Sequence, residues 1–326
     1  MAKKRTVYRP AILVLILLLS AVLVFSVAQV FSALFSSKKP AASTGNSKTI
    51  TVDGVEYFPR QDITVLLLMG IDEAGPVTPS DSYNNTGEAD VLALAVFDEA
   101  DKTYTVVMLN RDTMLEMPVL GLGGKPAGTS YGQLALAHTY GSGMEDSCEN
   151  TEKAISDFLG GVQIDYYLSM NMDGIATLTD AVGGVWVNVT EDFSAVTDTL
   201  PMGEVLLTGG EALTYVRTRQ GVGDQLNLSR MQRHEEYMNG FFDALHTKLE
   251  KSDTFMMTTY EALSPYLVSD CSATVLNGFV SRYADYTRKE ILSLAGENVK
   301  GREYMEFHVD EEALQALVLR LFYAEK

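Results

Sequence analysis

The chain has 326 residues, 46% of them hydrophobic, with a formal net charge of −18 and a pI near 4.6. That length and apolar content suffice for a large core in one domain or two. The acidity argues against nucleic-acid binding, whose affinity comes from a basic surface: between Gln61 and Gly210 the only lysines and arginines are Lys102, Arg111, Lys125 and Lys153.

Residues 11–35 carry no charged side chain and are interrupted only by Ser20, Ser26, Gln29 and Ser32. A stretch of that length spans a bilayer as one transmembrane helix. Lys3, Lys4, Arg5 and Arg9 precede it, so the positive-inside rule places residues 1–10 in the cytoplasm, although Lys38 and Lys39 weaken the contrast. A cleaved signal peptide is the rival reading, but its apolar region runs to about 7–15 residues and ends at a small-residue site. Residues 36–48, rich in Ser, Ala and Lys, read as a linker, and 49–326 as one extracytoplasmic domain. Cys148 and Cys271 are equally compatible with a disulfide in an oxidising space and with two buried free thiols.

Residues 49–58 alternate around Asp53 and Gly54, a hairpin pattern. Residues 63–69 form a continuous apolar run ending in Gly70, Ile71 and Asp72, as expected of a central strand covered on both faces. A polar loop with Pro76, Pro79, Asn84, Asn85 and Gly87 leads to Ala89, Asp90 and the run 91–97. A turn over 98–102 returns the chain along 103–109, which closes with Asn110, Arg111, Asp112 and Thr113. In this hairpin Asp90, opening one strand, lies beside Arg111, just past the end of the next, and Asp72 completes a cluster at one sheet edge. Ligands of α/β proteins collect where strands end, which makes Arg111 a candidate anion contact. An ion pair with Asp112 or another carboxylate is the structural alternative.

Residues 121–128 are glycine-rich and read as a surface loop, the alternative being backbone amides that approach a phosphate. Residues 128–132 match the Gly-x-Ser-x-Gly spelling of a hydrolase nucleophile elbow, but that motif needs a preceding strand and here a loop precedes it. A helix over 151–159, a strand over 164–170, a helix over 173–182 stopped by Gly183 and Gly184, and a strand over 185–189 follow. This alternation indicates a layered α/β architecture. Residues 211–216 read as a helix that delivers Arg217, Thr218 and Arg219, and Arg230 and Arg233 open a long helix running to about 251. Four arginines within 17 positions contrast with one in the preceding 150. Capping of helix carbonyls and pairing with Asp224 or Glu235 accounts for one or two of them. The tail reads as helices over 272–283 and 311–323 with a strand over 304–309.

Several segments together resemble the LytR-CpsA-Psr (LCP) family of envelope proteins. They are Leu-Leu-Leu-Met-Gly-Ile-Asp ending at Asp72, Asp90 opening a strand, Asn-Arg-Asp-Thr at 110–113 and Ile-Asp-Tyr-Tyr ending at Tyr167. Ala-Val-Gly-Gly-Val-Trp-Val ending at Val187 and Leu-Thr-Gly-Gly-Glu-Ala-Leu-Thr-Tyr-Val-Arg-Thr-Arg ending at Arg219 continue the likeness. The resemblance implies a layered α-β-α domain around a mixed central sheet, preceded by one transmembrane helix. It also implies a membrane-anchored phosphotransferase that moves a glycopolymer phosphate from a polyprenyl pyrophosphate carrier to peptidoglycan in a Gram-positive-type wall. A non-catalytic protein that binds the same lipid as a sensor or delivery factor is the alternative. By the same resemblance Asp72 and Asp90 bind Mg2+, Arg111 joins them in the catalytic set, and Arg111, Arg217, Arg219 and Arg233 contact the substrate, with Asp72 also a candidate base. A bound prenyl chain must be hidden from water, and Leu134, Leu136, Ile155, Phe158 and Leu159 are the expected lining of its tunnel. Three places depart from the family pattern. Glu88 stands where an arginine is usual, Gln133 where a lysine is usual, and Arg233 with His234 where Arg-Gln is usual.

Overall fold

The computed structural model describes residues 49–81, 87–121, 123–218, 220–223, 227–249, 251, 255–271, 282–283 and 286–325. The expected cytoplasmic segment 1–10, transmembrane helix 11–35 and linker 36–48, most of the helix expected over 272–283, and Arg219 lie outside the described residues. Among those described, no helix is long and apolar enough to cross a membrane.

The first hairpin forms as its Asp-Gly turn requires: β1 (Ile50–Val52) pairs with β2 (Val55–Pro59), with Asp53 at φ 51° and Gly54 at φ 81°. Next come β3 (Ile63–Ile71), β4 (Ala89–Asp98) and β5 (Thr103–Leu109), antiparallel neighbours at the centre of a six-stranded sheet. The 121–128 segment is no free loop. It turns β6 (Met114–Gly121) into β7 (Lys125–Gln133), with Gly123 and Gly124 supplying the left-handed turn conformations at φ 72° and 69°. Residues 128–132 therefore lie inside a strand, which disposes of the nucleophile elbow.

A 3-10 helix (Leu134–Tyr140) leads to α1 (Glu145–Phe158), which starts six residues before the expected point. Glu145 and Asp146 in its first turn suit the positive end of the helix dipole, a signal weaker than the apolar periodicity that follows. Then follow β8 (Tyr166–Asn171), α2 (Met172–Val182), β9 (Val185–Val189), β10 (Gly203–Leu207), α3 (Gly209–Arg217), α4 (Asn227–Leu249) and α5 (Phe255–Leu263). The chain ends through β11 (Leu267–Ser269), β12 (Thr287–Ser293), β13 (Gly296–Lys300), β14 (Met305–Val309), α6 (Glu311–Phe322) and β15 (Tyr323–Glu325), which returns to pair with β2.

The central sheet runs β11-β8-β3-β4-β5-β12. It is mixed: β8 is parallel to β3 and β12 to β5, whereas the other pairs are antiparallel. Alternation along the strands feeds two cores. Leu67, Met69, Leu94 and Val107 pack with α1 and α6 on one face, while Leu66, Ala93, Val106 and Met108 meet Met231 of α4 and Tyr283 on the other. A third cluster ties α2, α3 and α4 to the β9–β10 ribbon through Val185, Val187, Tyr215 and Phe241. Each such fully buried side chain contributes roughly 1.5–3 kcal/mol. The result is the expected layered α/β domain, its sheet covered on both faces. Cys148 is buried in α1 and Cys271 half-buried, and both are free thiols.

Candidate functional site

The site is built where β3, β4 and β5 end together. Gly70 pairs with Val91 and Ile71 with Ala89, so Asp90 is the extra residue of a β-bulge, a device that re-aims a side chain at a strand end. Gly70 makes room there: a Cβ on it would lie 3.0 Å from the Val91 Cβ, so Val91 would have to shift. One rung further, the Asp72 amide donates to the Glu88 carbonyl at 2.9 Å. Three carboxylates, from Asp72, Glu88 and Asp90, thus rise from neighbouring backbone positions.

Arg111 comes from a turn whose residue types dictate its shape. The Asn110 side-chain oxygen accepts from the Asp112 amide at 3.0 Å, and the Thr113 amide and hydroxyl both donate to the Asn110 carbonyl. The first amides of the 3-10 helix seal the turn, Leu134 donating to the Thr113 carbonyl and Ala135 to that of Arg111. Held this way, the buried Arg111 guanidinium donates to Asp90 through Nη1 and to Glu88 through Nη2, with Nε 3.4 Å from Asp112 Oδ1. Arg111 thus stands at the sheet edge as expected, and the ion-pair reading is the one the contacts show: three carboxylates engage it there.

Arg217 ends α3, and the sequence around it accounts for its position. Thr208 and Glu211 form a capping box, and Gly209 lets α3 approach α2 so closely that a Cβ would lie 2.5 Å from the Ala176 carbonyl oxygen. Arg217 Nη2 then reaches Asp72 Oδ1 at 2.7 Å, with the arginine about half exposed.

The long helix α4 divides its arginines in a way the sequence did not reveal. Arg230, which sequence reasoning placed only at a helix start, is 1% exposed and donates from Nη1 to Asp90 Oδ2 at 2.6 Å. It belongs to the site. Arg233, expected as a substrate contact, does not: it donates to the Tyr215 and Thr218 carbonyls and to Glu191, and lies over the Phe193 ring. Its neighbour His234 bonds the Val216 carbonyl at 2.9 Å. The last carbonyls of a helix have no intrahelical donors, and Arg233 and His234 supply them for α3. Both are positioning residues that hold the turn carrying Arg217. Gln133 likewise bonds Asp112 at 2.9 Å and the Met305 carbonyl at 2.8 Å. His138 donates from Nδ1 to the Gly87 carbonyl, 2.8 Å away, and burial pulls its pKa below the usual imidazole value.

An apolar cavity of about 170 Å3 adjoins this cluster, lined by Leu68, Val91, Met170, Ile175, Phe241 and Phe242 among others. Val91, in its wall, follows Asp90 and Val216, also in its wall, precedes Arg217, so the wall includes chain neighbours of the charged edge. It is on the face opposite the lining expected from the sequence. Leu134, Ile155 and Leu159 are instead close-packed core, with Leu136 and Phe158 against them. Both faces of a doubly covered sheet are apolar in sequence, and only the packing of α4 shows which one leaves space. A polar groove of about 300 Å3 flanks the other side of Asp72, lined by Glu73, Ser80, Gly87, His138, Ser142 and Asn171.

Mg2+ is bound through one or two carboxylates with water and phosphate oxygens completing its shell. Asp72 and Asp90 are hard oxygen donors at one edge; both Asp90 oxygens are engaged by Arg111 and Arg230 and Asp72 Oδ1 by Arg217, so the more exposed Asp72 is the donor open to a cation, with Asp90 behind it. Among the described residues no group of three or more His, Cys, Asp and Glu is arranged to hold a metal unaided.

The profile of the LytR_cpsA_psr family matches residues 24–321. Similar characterised proteins include the polyisoprenyl-teichoic acid–peptidoglycan teichoic acid transferases TagU of Enterococcus faecalis and of Bacillus cereus. The first is 28% identical over 58% of this chain and 62% of its own length, the second 32% identical over 47% and 43%. The chain thus matches about half the length of these relatives. Among solved structures, B. subtilis TagV superposes with a TM-score of 0.60 at 23% identity, covering 80% of this chain and 96% of that one. A TagT bound to LI-WTA gives 0.61 at 22%, covering 88% and 97%. The α/β fold with its mixed central sheet is shared with both.

Proposed function

The chain belongs to the LytR_cpsA_psr family, and from that premise we propose that it is a membrane-anchored phosphotransferase of cell-wall assembly. Its donor is a glycopolymer linked to a polyprenyl pyrophosphate, its acceptor peptidoglycan, and its cofactor Mg2+. Residues 11–35 anchor it in the cell membrane with the domain outside. The observation that carries this reading is the meeting of Arg111, Arg217 and Arg230 with Asp72 and Asp90 at the sheet edge that an apolar cavity adjoins. A charged head group and a hydrocarbon chain joined to it need that juxtaposition.

In this mechanism the guanidinium groups of Arg111 and Arg217 bind the pyrophosphate oxygens, and Arg230 holds Asp90 in place. Asp72, with Asp90 behind it, would hold Mg2+, which would supply positive charge to the leaving phosphate. The prenyl chain enters the apolar cavity and the glycan the polar groove. The acceptor hydroxyl oxygen bonds to phosphorus, its proton passes to Asp72, the more exposed of the two aspartates, and the bond to the lipid-side phosphate breaks with its electron pair going to that phosphate.

A second reading, a lipid-binding protein without turnover, draws on one observation: Arg111 is met by three carboxylates, and Gln133 spends its amide on one of them. Incubating the purified full chain in detergent with labelled lipid-linked glycopolymer and peptidoglycan oligomers decides between them. Mg2+-dependent transfer that EDTA abolishes is expected. Retained lipid binding without transfer establishes the second reading.

A further inference from the structure

Glu88 is the outermost of the groups on Arg111. Its side chain is 38% exposed, against 3% for Asp90 and 8% for Asp112, and it takes Nη2 of the guanidinium. Its backbone is fixed on both sides, since the Glu88 carbonyl accepts from the Asp72 amide and the Gly87 carbonyl from His138. Of the three carboxylates on Arg111, that of Glu88 is the one solvent reaches most. Arg111 and Arg230 face three carboxylates, Glu88, Asp90 and Asp112, so the local charge is unfavourable to an anion while Glu88 stays in place.

Resting on the pyrophosphate reading above, we propose that Glu88 is an internal competitor: its carboxylate occupies on Arg111 the position that a phosphate oxygen of the substrate takes, and must leave for the substrate to bind. Planar guanidinium edges bind carboxylate and phosphate by the same paired geometry, so one excludes the other. The buried Asp90, clasped by two arginines, is the fixed partner of Arg111, and Glu88 the exchangeable one. Because competition weakens ground-state binding, it sets how readily bound phosphate is exchanged and how easily the lipid phosphate product is expelled once Glu88 returns.

The test is calorimetric titration of the full chain in detergent with inorganic pyrophosphate in EDTA, for the wild type, Glu88→Gln, Glu88→Ala and Arg217→Ala. The expected result is tighter binding, by at least about fivefold, in both Glu88 variants, since the gain is part of what a charge-assisted hydrogen bond contributes. Loss of a merely structural residue loosens a site, so a gain in affinity with an unchanged melting temperature excludes that role, and a gain that persists in high salt, where repulsion is screened, marks competition on Arg111 itself. Affinity equal to or below the wild type in both Glu88 variants, with Arg217→Ala still weakening binding, overturns the competition and leaves the pyrophosphate reading standing. No binding of pyrophosphate to any of the folded proteins overturns that reading and this inference with it.

Discussion

Replacing Arg230 by alanine is expected to damage the fold as well as the site. Arg230 is 1% exposed, its Nη1 lies 2.6 Å from Asp90 Oδ2, and its Nη2 is 3.4 Å from the Asp90 carbonyl oxygen. Asp90 is itself 3% exposed, so removal of the arginine takes from a buried carboxylate one of its charge partners and leaves Arg111. Breaking a buried ion pair by deleting one partner costs about 3–5 kcal/mol. The remaining Arg111 contact puts the expected loss at the lower end, about 3 kcal/mol, which for a domain of this size is roughly 6–12 °C of melting temperature. Thermal unfolding of the detergent-solubilised chain followed by circular dichroism measures it, with Asp90→Asn/Arg230→Met as the companion that removes both charges and recovers a large part of the loss. If Arg230→Ala melts within about 1 °C of the wild type, Asp90 is not dependent on Arg230 and the account of the buried cluster fails.

Arg217→Ala removes a half-exposed partner of Asp72, so it is expected to change stability by less than about 1 kcal/mol while weakening pyrophosphate binding more than about tenfold. Equal binding in the variant removes Arg217 from the site. Arg233→Met is expected to lower stability by about 1–3 kcal/mol through the freed carbonyls of α3, and to lower turnover by misplacing Arg217; an unchanged melting curve refutes that positioning role. Burial, helped by the charges of Asp270, Glu149 and Asp165, raises Glu152 from 4.5 to about 7, and burial raises Asp270 from 3.8 to about 6. A carboxyl raised by folding stabilises fully below its ordinary pKa, and that stability is lost as pH rises through the raised value, so the domain is expected to lose about 1–2 kcal/mol between pH 5 and 8. Glu152→Gln is expected to flatten that slope, and a parallel slope in the variant refutes the assignment.

What the sequence made legible and what it hid follow one physical line. The strand run 63–71, the Asp-Gly turn at 53–54 and the Gly-Gly stop after α2 are local signals, each set by nearby residues, and the structure forms all three. The meeting of Asp90 with Arg111 was legible for the same reason, since a short hairpin turn sets the register that puts them side by side. Roles on α4 were not, because Arg230 and Arg233 are three residues apart on one helix and differ only in what packs against each: a bulged aspartate 140 positions away for one, the end of α3 for the other. The side of the sheet that holds the cavity was hidden likewise, both faces being apolar in sequence. Such a division matters for function. A guanidinium that satisfies helix carbonyls cannot turn to a phosphate without leaving them unpaired, here those of Tyr215 and Thr218, whereas one paired with a partly exposed carboxylate exchanges it for another anion at lower cost. By that criterion Arg217 and Arg111 are the exchangeable contacts of this edge, and Arg230 and Arg233 the frame that keeps them aimed.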